Sequence, residues 1–436
     1  MSQPYVNRRG FLQAGGTLAL GASSYANVLG SNARIGVGMI GCGGRAQAHL
    51  HMVAKLAEAN AGVCPLAVCD VWDGLEDHYQ LTVNGQTSTR RYSQGLYPAA
   101  KICGLDPANP ARVTKDYRRL LDLKDVDAVC IATPDHWHAR QTLDAFAAGK
   151  DVLVEKPMTR TAAEATAVEA AAHATGRILA VGVQTLTDST ASRVFASIQQ
   201  GAIGAVSHIS GGVFRNDPRG QWRYYRVPQQ LTPRTVDWPL WLGTGFSVNG
   251  VALAGETPPF DPTLFAQWRC SSAFSGGPIS DMLCNTLSRL LAATGLRTPA
   301  RVLASGGTYV EQDGRTVPDV ATLIAEYPPI AQLLLTTSTA SAYPAEELIR
   351  GRAGTIKLVQ GGYRIIADGA GAKLPPRLND ELPVGVFHDC PAPKNETEAL
   401  WLNFLECVRT RNANTTCGPA LGAAVSTILA NASAAI

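Results

Sequence analysis

The strongest constraint on the fold lies near the start of the chain. Arg34-Ile35-Gly36-Val37-Gly38-Met39-Ile40 is a short apolar run that reads as a buried strand. It runs straight into Gly41-Cys42-Gly43-Gly44-Arg45-Ala46, and Ala48, Leu50, Val53 and Leu56 follow at helical spacing. A strand that turns into a helix through G-x-G-x-x-A needs small residues for three separate reasons. Gly41 allows the tight turn, Gly43 lets the backbone approach a pyrophosphate, and Ala46 lets the helix lie close to the strand. The helix that Gly44 and Arg45 open would then present free N–H groups to the phosphates.

The next segments repeat the alternation. Leu66-Ala67-Val68-Cys69 reads as a second strand and closes on Asp70, twenty-nine residues after Gly41. A carboxylate at that point accepts hydrogen bonds from both adenosine ribose hydroxyls and repels a 2′-phosphate, which favours NAD over its alternative, NADP. Asp116 to Leu121 reads as a short helix, Val126 to Ala132 as a strand ending at Thr133-Pro134, His138 to Ala148 as a helix, and Val152-Leu153-Val154 as the next strand. This spacing predicts an α/β fold whose N-terminal part is a doubly wound, parallel Rossmann sheet. Ligands bind at the carboxyl ends of such strands, where Thr133, Pro134, His138, Glu155 and Lys156 stand.

At 436 residues the chain is too long for one core, and two domains are expected. Their bounds are read as 31–157 for the NAD-binding domain and 158–436 for a second, α+β domain. Thirty-eight Lys and Arg against thirty-five Asp and Glu leave +3, which excludes the basic excess of a nucleic-acid binder. The ten cysteines are too dilute for a disulfide scaffold, none is spaced as CxxC, and the histidines are scattered, so no metal site is expected.

The glycine turn, the acid closing the second strand, the Thr133-Pro134…His138 stretch and Glu155-Lys156-Pro157 together resemble the Gfo/Idh/MocA oxidoreductases. Asp237-Trp238-Pro239-Leu240-Trp241-Leu242-Gly243, Val317-Pro318-Asp319, Tyr327-Pro328 and Asn403 to Arg411 extend the likeness to an exported branch of that family. The resemblance implies a C-terminal domain built on a large, mostly antiparallel open sheet that covers the nicotinamide end of the coenzyme. Val206–Val213, Arg301–Gly307, Ala321–Glu326, Gln332–Thr337 and Thr355–Val359 are strand-like runs in keeping with it. The late helix starts at Asn395, with Glu398 three residues on as in a capping box. It puts Trp401, Phe404, Leu405 and Val408 on one face, as core packing.

The resemblance also assigns roles. Lys156 would hydrogen-bond the substrate hydroxyl that is oxidised and assist proton transfer, which suits a lysine whose pKa is lowered by burial and neighbours. In many relatives the peptide before the matching proline is cis. The second catalytic element is an Asp with a His four residues later on one helix. Here Asp281 is present, but Asn285 stands at the histidine position. An asparagine hydrogen-bonds a sugar hydroxyl but takes no proton at useful pH. His136 and His138 are the nearest replacements, with His138 more suited to orienting the loop. Gln184, Arg215 and Arg269 lie in segments that approach the substrate in relatives. The expected substrate is a sugar, cyclitol or sugar derivative, handled by a homo-oligomer.

The first thirty residues read as an address. Asn7-Arg8-Arg9-Gly10-Phe11-Leu12, an apolar run to Ala22, Ser24-Tyr25-Ala26 and no acid before Glu58 have the pattern of a twin-arginine export signal. The run is too short for a membrane span, which needs about 20 residues. Export to the periplasm or beyond removes any free NAD pool, so a tightly held coenzyme is expected. Three activities fit: an oxidoreductase, a redox-neutral NAD-dependent glycosidase, and, because of Asn285, a non-catalytic nucleotide- and sugar-binding protein.

Overall fold

The computed structural model describes residues 34–83, 85–367 and 387–436, so the export signal lies outside the described residues. Strands β1 (Ile35–Ile40), β2 (Val63–Cys69), β5 (Val113–Thr114), β6 (Ala128–Ile131), β7 (Asp151–Glu155) and β8 (Leu179–Gly182) form a six-stranded sheet in the order β5-β2-β1-β6-β7-β8. Every pairing in it is parallel. All six β1 residues are buried, as a strand covered on both faces requires. The strand order reverses between β1 and β6, which opens a crevice at their carboxyl ends. The Gly44–Glu58 helix buries Ala46, Leu50, Val53 and Leu56 against this sheet, while Ala48 faces outward.

Three features differ from the sequence reading. The parallel sheet runs past residue 157, through the Ala162–Thr175 helix and β8. That helix is entered through a complete capping box, in which Thr161 and Glu164 satisfy each other's backbone N–H groups. An unforeseen antiparallel hairpin, β3 (Leu75–Val83) and β4 (Gln86–Gln94), follows β2 and pairs only with itself. The Glu396–Thr410 helix returns to the first domain, where Leu400, Trp401, Phe404, Leu405 and Val408 pack in one cluster with Leu50, Val53 and Leu56. Burying each such side chain contributes roughly 1.5–3 kcal/mol. Asn395 caps this helix at the Glu398 N–H, but Glu398 turns away to pair with Lys55, so the expected box is half formed.

The second sheet has eight strands in the order β12-β13-β14-β9-β15-β16-β17-β18. They are β9 (Val206–Phe214), β12 (Arg301–Gly307), β13 (Val320–Tyr327), β14 (Ala331–Ser338), β15 (Glu347–Gly351), β16 (Gly354–Val359), β17 (Gly362–Ala367) and β18 (Phe387–Asp389), with a small hairpin, β10 (Ser247–Val248) and β11 (Val251–Ala252), between. Only β14 and β9 pair in parallel. Burial alternates strictly along β13, because one face packs on the Gly277–Thr294 and Pro419–Ala434 helices and the other stays open. Gly277–Thr294 carries Asp281 and Asn285.

Residues 235–247 stitch the second domain over the strand ends of the first. Trp72 and Val236 form a β-bridge, Asp73 N–H donates to the Thr235 carbonyl at 3.0 Å, and Asp237 N–H donates to that of Val71 at 2.9 Å. Arg140 donates to the Ser247 carbonyl at 2.8 Å. All ten cysteines are unpaired. No helix among the described residues is long and apolar enough to cross a membrane.

Candidate active site

The glycine turn shapes the first part of the site. Gly41 has φ +83°, and a Cβ there would lie 2.7 Å from the Thr133 nitrogen, so only glycine lets β1 and β6 end side by side. Gly43 is different. It is extended, at φ −75°, and a Cβ built on it would meet nothing within 4 Å. The Gly44–Glu58 helix has no side-chain cap, so its first N–H groups point into that open space. The space is a cavity of about 490 Å³. Gly41, Gly43, Gly44, Arg45, Asp70, Thr133 and Pro134 line one side, and Trp241, Trp268 and Arg269 from the second domain close the other. An uncapped helix N-terminus over an empty cradle fits the pyrophosphate of a dinucleotide.

Asp70 sits in this wall with its carboxylate fixed from behind, accepting from the Cys42 N–H at 2.7 Å and the Trp72 N–H at 2.8 Å. Burial pushes its pKa up to about 6 against those two bonds. Protonation below that value removes the charge that a ribose diol would bind. NAD affinity should therefore fall about tenfold from pH 8 to pH 5, as charged hydrogen bonds become neutral ones. Calorimetric titration across that range checks this, and Asp70→Asn should flatten the profile at the weaker level.

Arg269, on the cavity wall, also belongs to a charged cluster. Lys156 Nζ donates to the Asp281 carbonyl at 2.7 Å and to Oδ1 at 3.0 Å. Arg269 Nε donates to the same Oδ1 at 3.3 Å, and Trp222 Nε1 to Oδ2 at 3.3 Å. Burial opposes both charges, but Lys156 and Arg269 hold the Asp281 carboxyl well below the carboxylate range. In return Asp281 holds Lys156 above the usual lysine value, so the lowered lysine pKa expected from the sequence is not found. The pairing outweighs desolvation. The Lys156-Pro157 peptide is cis. Arg269 lies over the Trp268 ring at 4.2 Å, which aims its planar head along the cavity.

The other expected residues lie behind this surface or away from it. Glu155 is a buried junction: its Oε1 accepts from Arg45 at 2.7 Å, His49 at 2.8 Å and Gln184 at 3.2 Å. Burial works against that charge, yet the His49 hydrogen bond and the Arg45 charge keep it well below the ordinary range. His49 Nδ1 accepts from Trp401, whose indole only donates, so Nε2 carries the hydrogen given to Glu155. Gln184 thus supports Glu155. Arg215 is exposed outside the cavity wall, although its charge reaches Asp281. Asn285 lies one turn below Asp281, with Oδ1 enclosed and without a partner among the described residues.

Neither histidine lines the cavity, although His136 Nδ1 is enclosed without a partner among the described residues. His138 sets its ring nitrogens against the carbonyls of Pro157 at 2.7 Å and Thr133 at 2.9 Å, tying the two strand-end loops together. His136 Nε2 meets the Trp241 carbonyl at 3.0 Å, and burial lowers its pKa to about 3. Trp137 donates to that same carbonyl and lines the cavity. The residues that the sequence did not single out come mostly from this second wall.

Comparison with known proteins agrees with this geometry. Residues 35–183 match the Gfo/Idh/MocA family model, described as "Oxidoreductase family, NAD-binding Rossmann fold". The chain is 32% identical over 203 residues to an inositol 2-dehydrogenase of Gluconacetobacter diazotrophicus, across 46% of this chain and 51% of that protein. It is 24% identical over 251 residues to an alpha-N-acetylgalactosaminidase of Shewanella oneidensis, across 50% of each. The chain thus spans about half the length of these curated relatives. The WlbA dehydrogenase from Bordetella pertussis, solved in complex with NADH and UDP-GlcNAcA, shares the fold at TM-score 0.60 and 17% identity, over 92% of this chain and 96% of that one.

Proposed function

We propose, from the premise that residues 35–183 belong to the Gfo/Idh/MocA family of NAD-binding oxidoreductases, that the whole protein oxidises or reduces a hydroxyl-bearing carbon of a sugar, cyclitol or sugar derivative. The observation that carries this reading is the Lys156–Asp281–Arg269 cluster, which meets the dinucleotide cavity at Arg269. NAD, when bound, supplies the hydride acceptor or donor. The chain's own residues do the rest. Lys156, with two N–H bonds fixed on Asp281, turns its third towards a hydroxyl and stabilises the oxygen as it becomes negative. Arg269 presents a planar pair of donors suited to neighbouring hydroxyls.

The stitched segment 235–247 favours a retained coenzyme, since it lies across the strand ends at which the nucleotide would bind. Retention suits an exported protein, and export through Arg8-Arg9 belongs to this proposal, as does a homo-oligomer formed through the open face of the second sheet. Retention also favours a second reading. A glycosidase that oxidises a ring carbon, eliminates the aglycone and restores the hydride never exchanges its coenzyme, and the alpha-N-acetylgalactosaminidase likeness points the same way.

Mass analysis of the nucleotide that co-purifies, followed by sugars and aryl glycosides screened without external acceptor, tests both readings. Bound NAD that changes its reduced-nicotinamide absorbance on sugar addition is the expected result. Aglycone release without net absorbance change selects the glycosidase. Protein that neither carries nor binds NAD, and answers to no sugar, overturns both.

A further inference from the structure

The β3–β4 hairpin stands apart from the parallel sheet and pairs only with itself. A lone two-stranded hairpin is marginally stable in water, so what fastens it decides where it lies. At its base the Gly95 N–H donates to the Cys42 carbonyl at 3.0 Å, which ties the end of β4 to the glycine turn. Farther along, Arg226 of the second domain donates to Asp77 Oδ2 at 2.9 Å. The same guanidinium lies over the rings of Tyr79 at 5.0 Å and Tyr92 at 5.4 Å. Its backbone is held in turn, because Gln267 Nε2 donates to the Tyr225 carbonyl at 3.0 Å.

These anchors lay one face of β4 against the dinucleotide cavity. Tyr92 and Gln94 both line it, two residues apart and so on the same side of the strand. The Tyr92 hydroxyl donates to Gln94 Oε1 at 3.3 Å, and burial pushes that phenol up to about 12, so it stays a donor. With Oε1 engaged, the amide turns Nε2 to the start of the Gly44–Glu58 helix, where a Cβ built on Gly44 would lie 3.4 Å from it. Nε2 has no hydrogen-bond partner among the described residues and is open rather than enclosed. The uncapped N–H groups of the helix and the Gln94 amide thus meet at one spot on the cavity wall.

We infer that Gln94 donates its amide to the pyrophosphate of the bound coenzyme, and that the β3–β4 hairpin is a flap, fastened by Arg226, that brings it there. This rests on the dinucleotide reading of the cavity. A helix N-terminus satisfies phosphate oxygens from one side only, and β4 supplies a donor from another. The bond is to a charged acceptor, which makes it about twice as strong as a neutral one. Coenzyme entry and exit then require the flap to part from Arg226. The flap adds to the strap at 235–247 as a reason for slow release.

Gln94→Leu keeps the size of the side chain and removes the donor. Freed of co-purified nucleotide, this variant should bind NADH and ADP about 10–100-fold more weakly than the native protein, the effect of one hydrogen bond to a charged group. Adenosine has no phosphate, so its affinity should not change. Gln94→Glu sets a carboxylate against the phosphates and should bind ADP more weakly still, with the gap between the two variants closing as salt is raised. Arg226→Gln leaves the amide in place and loosens the flap. NADH should then enter and leave about tenfold faster, as expected for loss of a cation held over two rings, while its Kd changes little.

Competition of ADP and adenosine against NADH fluorescence, with stopped-flow mixing for the rates, tests this without turnover. Hydrogen exchange on the native protein needs no variant: the amides of residues 86–94 should slow when ADP is added and not when adenosine is added. Weaker ADP binding with adenosine binding retained in Gln94→Leu is the expected result. Equal losses for ADP and adenosine, or no loss for either, overturn this inference and leave the dinucleotide reading intact. Exchange at 86–94 that ignores ADP, or NADH rates unchanged in Arg226→Gln, overturns the flap. A native protein that binds neither NADH nor ADP overturns the dinucleotide reading itself, and this inference with it.

Discussion

Lys156→Ala should lower kcat for sugar oxidation by about 10³-fold, within the range measured for loss of a positioned proton-transfer group. The effect is confined to the chemical step for a structural reason. Lys156 Nζ reaches only Asp281, and after its removal that carboxylate keeps hydrogen bonds from Arg269 and Trp222. The cleft at Gly41, Gly43 and Asp70 lies elsewhere along the cavity wall. NAD affinity should therefore be retained while turnover collapses, and single-turnover measurements alongside NAD titration separate the two. Lys156→Arg keeps a charge for Asp281 but holds its proton too firmly to relay it, so it should recover stability without recovering rate. A non-catalytic sugar-binding protein would show no change in turnover with either variant, because there would be none to lose.

Much of the first domain is legible because its signals are local. The strand–glycine turn–helix unit is contiguous in sequence, and the positions of Gly41, Gly43 and Asp70 follow from what a tight turn and a phosphate require. Second-sheet strands with regular alternation, such as β13, are readable within a residue or two of their ends. The β3–β4 hairpin was readable in principle, since Asn84-Gly85 is a hairpin signature and Tyr79, Leu81 and Val83 alternate with His78, Gln80 and Thr82, but β4 offers only Tyr92 as an apolar partner. The site divides in the same way. Lys156 and Asp281 stand on motifs. The aromatic wall of Trp241 and Trp268 and the strap at 235–247 depend on contacts between residues more than a hundred positions apart, to which periodicity is blind. The raised pKa of Lys156 is likewise set by Asp281, and burial alone would have predicted the opposite.

The account stands on a dinucleotide lying across the first sheet, and Gly43 gives the most direct access to that claim. A side chain there meets nothing in the protein, and the backbone is extended in a conformation that valine adopts readily. Gly43→Val should leave folding stability unchanged to within about 0.5 kcal/mol, as at an exposed site. The same side chain would stand where the pyrophosphate meets the helix N-terminus. Losing two hydrogen bonds to a charged phosphate costs about 3–6 kcal/mol, so NAD affinity should fall by about 10³-fold. The decisive measurement is a fluorescence titration of NADH into the native protein and Gly43→Val, both freed of any co-purified nucleotide, with melting curves of both. Stoichiometric binding to the native chain and none to an equally stable variant is the result the account predicts. Equal NADH binding by the two, or none by either, would contradict it.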